Sequence, residues 1–571
     1  MVNCRSLAAA LLVWCACLLL LQPAQSLPSP NHNLPSQAQS RARMQVKTVH
    51  EHEAAVGVSA SALVAAAQAP PLYTKFFPIF PHELVKFFTL SSMMFFIVFI
   101  FTMTRDTKDA LIVTNCGAEA IAFLKVYGVV PAAALFMVVY ANLANRFDPR
   151  TLFYLTVSPF MAFYSLFAFV LYPMRERLHP MHIALPLGGM SYPVNLLRHW
   201  TFSLYYIVSE LWGSAGVPLL FWACANDVVK IDQARRIYPL IALVGNLGPI
   251  FSGLTMTSVS AAVARRIGDE DKAFEVTLKV LTACMLGAGV MIGLLHWLVH
   301  RINDADLAQT QAQTQVGTQT QKAKTDPQVG NAKAKKSRPG LLDSLRVLAA
   351  DDYLRSICTM VLSYGLTMEF TEIIWKSCVK RAFPQKSEYL SFMGRYSTMV
   401  GSASFFMMFV GANLVKNLGW RAGALLTPTM MALFSMPFFV SIVKGVDSQR
   451  ALKTAVYVGL VNNVLSKATK YAVFDPTKEM TYIPLEKDAK TKGKAAIDVL
   501  GARVGKSGGA LVQQGLVLVF GSIVQGAPVL ALLFYGVIFM WIGAVNKLAP
   551  LFAEKSGETT EPAKTQPAKS A

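Results

Sequence analysis

Between residues 86 and 546 the chain alternates long apolar runs with shorter polar connections. Runs cover 86–104, 121–140, 152–171, 200–222, 238–263, 276–299, 353–374, 392–415, 422–443, 452–466, 507–524 and 527–546. Most approach the ~20 residues that a helix needs to cross the hydrocarbon core of a bilayer. The pattern predicts an all-α polytopic membrane protein with about 12 transmembrane helices, because only helices or closed barrels satisfy their backbone within lipid. The run at 452–466 is the shortest of the set.

The stretch at 301–345 breaks this pattern. Its "QTQAQTQVGTQTQ" is polar and of low complexity, its "KAKKSRPG" is basic, and such a segment lacks the apolar surface to fold alone. Six runs precede this linker and six follow it. The layout resembles the major facilitator architecture, in which two halves are related by an axis along the membrane normal. The domains expected are therefore an N-terminal six-helix bundle at 81–300, the linker, a C-terminal six-helix bundle at 346–550 and a disordered tail at 551–571. A monomer is expected of this layout.

The first apolar stretch, "LAAALLVWCACLLLL", differs in kind. It is short, follows Arg5 and ends near "QPAQS", which reads as a secretory signal peptide at 1–26 cleaved after Ser26; the alternative is an extra membrane anchor. Residues 27–80 are rich in Ser, Ala, Pro and Gln and carry Arg41, Arg43 and Lys47 against Glu51 and Glu53. Together the two segments resemble the bipartite presequence of proteins sent to plastids bounded by extra membranes. The alternative is a disordered luminal tail on an endomembrane or plasma-membrane protein.

Composition strengthens the membrane reading. Hydrophobic types make up 54% and charged types 15% of the 571 residues, where a soluble chain carries about a quarter charged residues, and mean hydropathy is +0.42. The formal net charge of +20 raises the question of nucleic acid, but no aromatic-rich basic module lies outside the helices. Basic residues concentrate in the linker and in the loop at 467–506, which a twelve-helix count puts on one side of the membrane, as the positive-inside rule requires. An anionic solute accounts for the remainder. The eight cysteines form no disulfide framework, and neither they nor the nine histidines show metal-ligand spacing, so no metal or cofactor is expected.

Charges within or beside the apolar runs carry the chemistry, because insertion scales put the cost of a mid-bilayer Asp, Lys or Arg on the order of 2.5–3.5 kcal/mol. The first run ends in "TRDTKD", with Arg105, Asp106, Lys108 and Asp109; the seventh ends in "EFTEIIWKS", with Glu369, Glu372 and Lys376. Charges at corresponding places in both halves are what two bundles facing one central pathway require. Glu210, in "YIVSELWGS", lies inside the fourth run, where it either lines that pathway or pairs with a neighbouring helix. The cluster Asn226, Asp227, Lys230, Arg235 and Arg236 reads equally as a positive-inside anchor.

"GARVGKSGGA" at 501–510 invites comparison with a phosphate-binding Walker A loop. Gly501 and Gly505 have three residues between them where that loop has four, and the apolar "ALVQQGLVLVFGSIV" follows. The glycines either let a helix start approach phosphates, with its N-terminal dipole adding positive potential, or let helices pack closely.

The stretches "TRDTKDALIVTNCGAEAIAFLKVYGVVPAA", "ANDVVKIDQARRIYPL", "FTEIIWKSCVK" and "KEMTYIPLEKDAKTKGKAAIDVLGARVGKSGGALVQQ" resemble the nucleotide transporters (ADP/ATP translocases) shared by plastids and obligate intracellular bacteria, most of all the diatom plastid members. The resemblance covers about 80 to 550. It implies exchange of ATP for ADP and phosphate, or wider transport of ribo- and deoxynucleoside triphosphates including proton-coupled uptake, in a plastid envelope, by a carrier and not an enzyme. It also implies that Lys108, Glu210, Glu372 and either Lys494 or Lys506 matter for transport; Arg105, Lys376 and Arg503, in the same motifs, join them as candidate substrate-binding residues. The unrelated mitochondrial carriers repeat a Pro-x-[Asp/Glu]-x-x-[Lys/Arg] motif three times, and here "PHELVK" at Pro81 to Lys86 stands alone. Two further classes stay open: a carrier of another organic anion coupled to protons, and a P-loop ATPase, for which no convincing acidic Mg²⁺ motif is seen.

Overall fold

A computed structural model describes residues 79–318, 351–485, 497 and 502–556, apart from 81, 82, 185, 187 and 230. The signal peptide at 1–26, nearly all of 27–80, Lys494, the side chain of Arg503 and most of the tail lie outside the described residues. Helices dominate: α1 (Leu84–Cys116), α2 (Ala120–Arg146), α3 (Pro149–Leu171), α4 (Trp200–Val228), α5 (Ile231–Gly245), α6 (Leu247–Ala264), α7 (Glu270–Thr318), α8 (Asp352–Ala382), α9 (Lys386–Val443), α10 (Gln449–Thr469), α11 (Asp475–Thr481), α12 (Ala502–Phe520) and α13 (Ala527–Ser556). No strand occurs among the described residues.

The apolar runs read from the sequence fall on these helices, the run at 238–263 divided between α5 and α6 and that at 507–524 ending in the turn after α12. Among the described residues nine spans are long and apolar enough to cross a membrane. α10 and α12 fall short because they carry polar side chains, among them Asn462, Asn463 and Lys467 on α10 and Gln513 and Gln514 on α12, all buried against neighbouring helices. α9 holds two of the expected spans: Gly419, with φ of 82°, breaks it where a residue with a Cβ would be strained. α10 passes through a π-helical turn at Lys470–Phe474 into α11.

Two expectations about boundaries change. The charges of "TRDTKD" do not end α1, which runs 33 residues to Cys116, and those of "EFTEIIWKS" sit inside the 31-residue α8. A buried charge stops a helix only if it lacks a partner, and here each has one. α7 also continues to Thr318, into the segment read as linker, where Gln and Ala favour helix.

The described residues form two compact units. The smaller gathers residues up to Thr89 with Lys230–Leu240. In it Arg236 holds both carboxylate oxygens of Glu83, at 2.9 and 3.0 Å, and lies 4.6 Å from the Phe80 ring. Burial raises the Glu83 carboxyl, but the Arg236 guanidinium outweighs it and leaves the group below the usual range. The larger unit holds everything else, including the charged residues of α1 and α8.

Close helix approach within the larger unit depends on glycine. A Cβ at Gly505 would lie 3.1 Å from the Leu362 carbonyl oxygen, and one at Gly509 would lie 2.9 Å from the Glu369 Cβ. On the facing helix Gly365 lies against the Gly505 Cα. The small-xxx-small pair 505/509 seats α12 on α8, the packing reading of the glycine motif. "GKSGG" is itself helical, inside the first turns of α12, and not a loop before a helix.

Candidate functional site

Arg105, Lys108 and Asp109 recur at three- and four-residue spacing, which brings them to one side of α1. The Arg105 guanidinium donates to Asp106 (2.9 Å) and to Ser397 of α9 (2.7 Å), and Ser397 donates a short hydrogen bond to Asp106. Lys108 Nζ lies 3.0 Å from Asp109 Oδ1, 2.9 Å from Glu210 Oε1 of α4, and 3.7 Å from the centre of the Tyr206 ring.

From there the charges alternate across the molecule. Asp109 Oδ2 meets Lys376 Nζ of α8 at 2.8 Å; Lys376 meets Glu372 Oε1 at 2.9 Å; Lys467 of α10 meets the same oxygen at 3.4 Å. The sequence of contacts is Glu210, Lys108, Asp109, Lys376, Glu372, Lys467. Beside it Lys125 of α2 donates to both oxygens of Glu369 at 2.7 Å. Lys470 pairs with Asp475 at 2.9 Å and lies 4.5 Å from the Tyr471 ring.

Cations and carboxylates in this network are equal in number, as the cost of removing an unpaired charge from water demands. Exposure is uneven. The side chains of Lys108 and Lys376 are 4% and 5% exposed, whereas Glu210 is 32% and Glu372 18% exposed. Glu210 at one end of the relay and Glu372 next to the other end are its more exposed members, while Lys108 and Lys376 between them are buried. A polyanion arriving there can replace the carboxylates as partner of the lysines without leaving any cation unpaired, since Lys offers three rotatable donors.

Of the residues picked out from the sequence, Arg105, Lys108, Glu210, Glu372 and Lys376 come together in this network. Lys506 is exposed on the first turns of α12, within electrostatic reach of Glu210. Arg503 is placed by its backbone alone, in the first turn of α12. Lys125, Lys467, Lys470 and Asp475 were not picked out. Lys125 had a readable signal: "AIAFLKVYGVV" puts one lysine inside an apolar run, the situation that marks a pathway or a partner. The aromatic side chains near these charges divide. Phe370 and Trp375 are core residues, the Trp375 indole donating to the Val456 carbonyl at 2.9 Å, and Tyr364 stacks on Phe474. Tyr206 and Tyr396 lie instead beside the relay's lysines.

One further grouping departs from expectation. No metal-ligand spacing was read from the cysteines and histidines, yet Cys224 of α4 meets His296 and His300 of α7, buried and with ligand atoms within 4.8 Å of one another. His296 and His300 are four residues apart on one helix, a spacing visible in the sequence once that stretch is known to be helical; Cys224 is far from them in the chain.

Comparison with known proteins places these features. Residues 65–552 match the sequence profile of the TLC ATP/ADP transporter family. The chain is 40% identical over 501 residues to ADP,ATP carrier protein 1 of Chlamydia muridarum (strain MoPn / Nigg), covering 84% of this chain and 90% of that one. It is 38% identical over 493 residues to ADP,ATP carrier protein 2, chloroplastic, of Arabidopsis thaliana, covering 84% and 76%. Among solved structures, that of a D-xylose-proton symporter aligns with a TM-score of 0.50 at 12% identity, over 83% of this chain and all of that one. This last likeness is one of fold.

Proposed function

This chain belongs to the TLC ATP/ADP transporter family, and on that premise we propose that it carries ATP and ADP intact across a membrane, in exchange, by alternating access. The observation that carries the reading is the set of buried lysines, Lys108, Lys376 and Lys467, paired with the partly exposed carboxylates Glu210 and Glu372. A carrier needs complementarity to phosphates and no attacking water. Lys108, Lys376 and Lys467, with Arg105 beside them, are the phosphate partners in this reading. Glu210 and Glu372 balance them when no nucleotide is bound. Lys506, exposed at the start of α12, meets the nucleotide as it arrives; Lys494 and Arg503 belong to the same stretch and share that role.

The membrane is a plastid envelope in this reading, supported by the chloroplastic relative and by the signal-like and Ser/Ala-rich segments at 1–80. The experiment is uptake of α-phosphate-labelled ATP by bacterial cells expressing the chain from residue 81. Excess ADP, CTP or dATP and an uncoupler are each tested in turn. Competition by ADP alone, indifferent to the uncoupler, is the expected result. Broad competition by triphosphates makes the chain a general nucleotide supplier, and collapse with uncoupler makes it a proton symporter. No uptake from correctly inserted protein overturns the reading.

A further inference from the structure

We infer that Cys224, His296 and His300 form a binding site for one divalent transition-metal ion of the zinc type, clamping α4 to α7. The three side chains are 6%, 2% and 6% exposed. The Cys224 Sγ lies 3.9 Å from His300 Nε2, and donor atoms of all three residues fall within 4.8 Å. Tetrahedral zinc, with Zn–S near 2.3 Å and Zn–N near 2.1 Å, sets sulfur and nitrogen about 3.6 Å apart and two nitrogens about 3.4 Å apart. The observed cluster is that arrangement slightly expanded, and rotation of the Cys224 and His300 side chains closes it.

A second observation points to a ligand. His296 Nδ1 is buried with no hydrogen-bond partner, a costly condition for an imidazole nitrogen. Its ring is fixed, stacked on Phe153 with centres 3.8 Å apart and planes 10° apart, and met edge-on by Tyr154 at 5.2 Å. A weak thiol–imidazole contact between Cys224 and His300 is the simplest alternative, and it leaves that nitrogen unsatisfied. One thiolate and two imidazoles suit zinc, cobalt or copper and not magnesium or calcium, which take oxygen. His296 and His300 also line a cavity of about 240 Å³ with Tyr154, Trp297 and Asp304, roomy enough for a metal-bound water. Asp304 is engaged by Arg150 at 2.6 and 3.0 Å, and Arg301, the cavity's other guanidinium, lies over the Trp297 ring at 5.2 Å. None of the three ligands belongs to the lysine relay.

The test is cobalt titration of the purified full chain after chelator treatment, in a background where Cys4, Cys15 and Cys17 are serine. One equivalent of Co²⁺ should develop a thiolate-to-cobalt absorption band in the near ultraviolet, and Zn²⁺ should displace it. Cys224→Ser should abolish the band, Cys358→Ser should keep it, and His296→Gln should weaken cobalt binding at least ten-fold. ATP uptake by each variant confirms that it folds; should Cys224→Ser fail there, His296→Gln decides alone. Absence of the band at saturating cobalt, its survival in Cys224→Ser, or unchanged affinity in His296→Gln overturns the proposal.

Discussion

α1 and α8 carry their charges at comparable depth, past the middle of a long helix, yet they pair them differently. α1 pairs its charges partly within itself, Asp106 with Arg105 and Asp109 with Lys108, each one residue away, while Lys108 also reaches Glu210 and Asp109 also reaches Lys376. The acids of α8 reach further. Glu369 takes Lys125 from α2, Glu372 takes Lys467 from α10, and Lys376 is the bridge back to Asp109. Corresponding places in the two halves are complementary and not copies. Each helix supplies one cation and one carboxylate to the relay, Lys108 and Asp109 from α1 and Lys376 and Glu372 from α8, but their partners beyond it differ, so removing a residue from either leaves a different orphan.

The largest effect expected is at the cation that α1 exports. Lys108→Ala leaves Glu210 without its partner and Asp109 with Lys376 alone, and it removes a charged phosphate partner from the site. ATP uptake should fall below detection while the amount of inserted protein stays near wild type. Ordinary uptake by inserted Lys108→Ala would remove that lysine from the site. Next comes the acid side. Lys125→Met and Glu369→Gln should each lower stability by about 3–5 kcal/mol, and the double variant should recover most of the loss, because a neutral pair leaves no buried charge alone. Thermal unfolding in detergent checks this; additive losses in the double variant would mean that the two groups are not coupled as drawn.

α8 is also the helix against which glycine packing can be measured. Gly509→Ala forces a Cβ to within 2.9 Å of Glu369 Cβ and should cost about 1–3 kcal/mol. Gly508→Ala meets only Leu366, at 3.9 Å, and should be neutral or stabilising by up to about 1 kcal/mol from helix propensity. Equal effects from adjacent glycines would show that α12 does not sit on α8 in this register.

Much of this was legible in the chain. Hydrocarbon imposes a length and a composition on anything that crosses it, so every apolar run marks a helix. Arg105, Lys108, Glu210, Glu372 and Lys376 stood out because charges beside apolar runs are rare. Pairing was not legible. Nothing local to Lys125 points to Glu369, 244 residues away, and nothing local to Cys224 points to His296. Partner choice follows from which helix faces meet, a property of packing. The ends of α1 and α8 were misread for the same reason: a charge whose partner is unseen looks like a place to stop. "GKSGG" looked like chemistry because a glycine needed for close approach has one signature whether it meets a phosphate or another backbone.

The mildest test concerns how α1 is covered at its C-terminal end. There Asn195 donates to the Asn115 carbonyl at 3.3 Å, and the segment carrying Asn195 is fastened further on by His179, whose ring bonds Thr201 at 2.7 Å. α8 ends at Ala382, and the chain turns from there into α9 at Lys386. Burial, with smaller contributions from His199, Arg175 and Lys386, lowers the His179 pKa to about 4. The folded protein therefore keeps the ring neutral where an unfolded histidine, titrating near 6.5, takes a proton. Stability from this residue is complete above about pH 6.5 and is lost as pH falls from there towards about 4. Thermal unfolding midpoints at pH 7.5 and pH 5 should fall more for the wild type than for His179→Gln, which keeps a hydrogen-bonding side chain and removes the titration. An equal fall in both proteins would place the acid sensitivity elsewhere and leave the cover of α1 independent of its histidine.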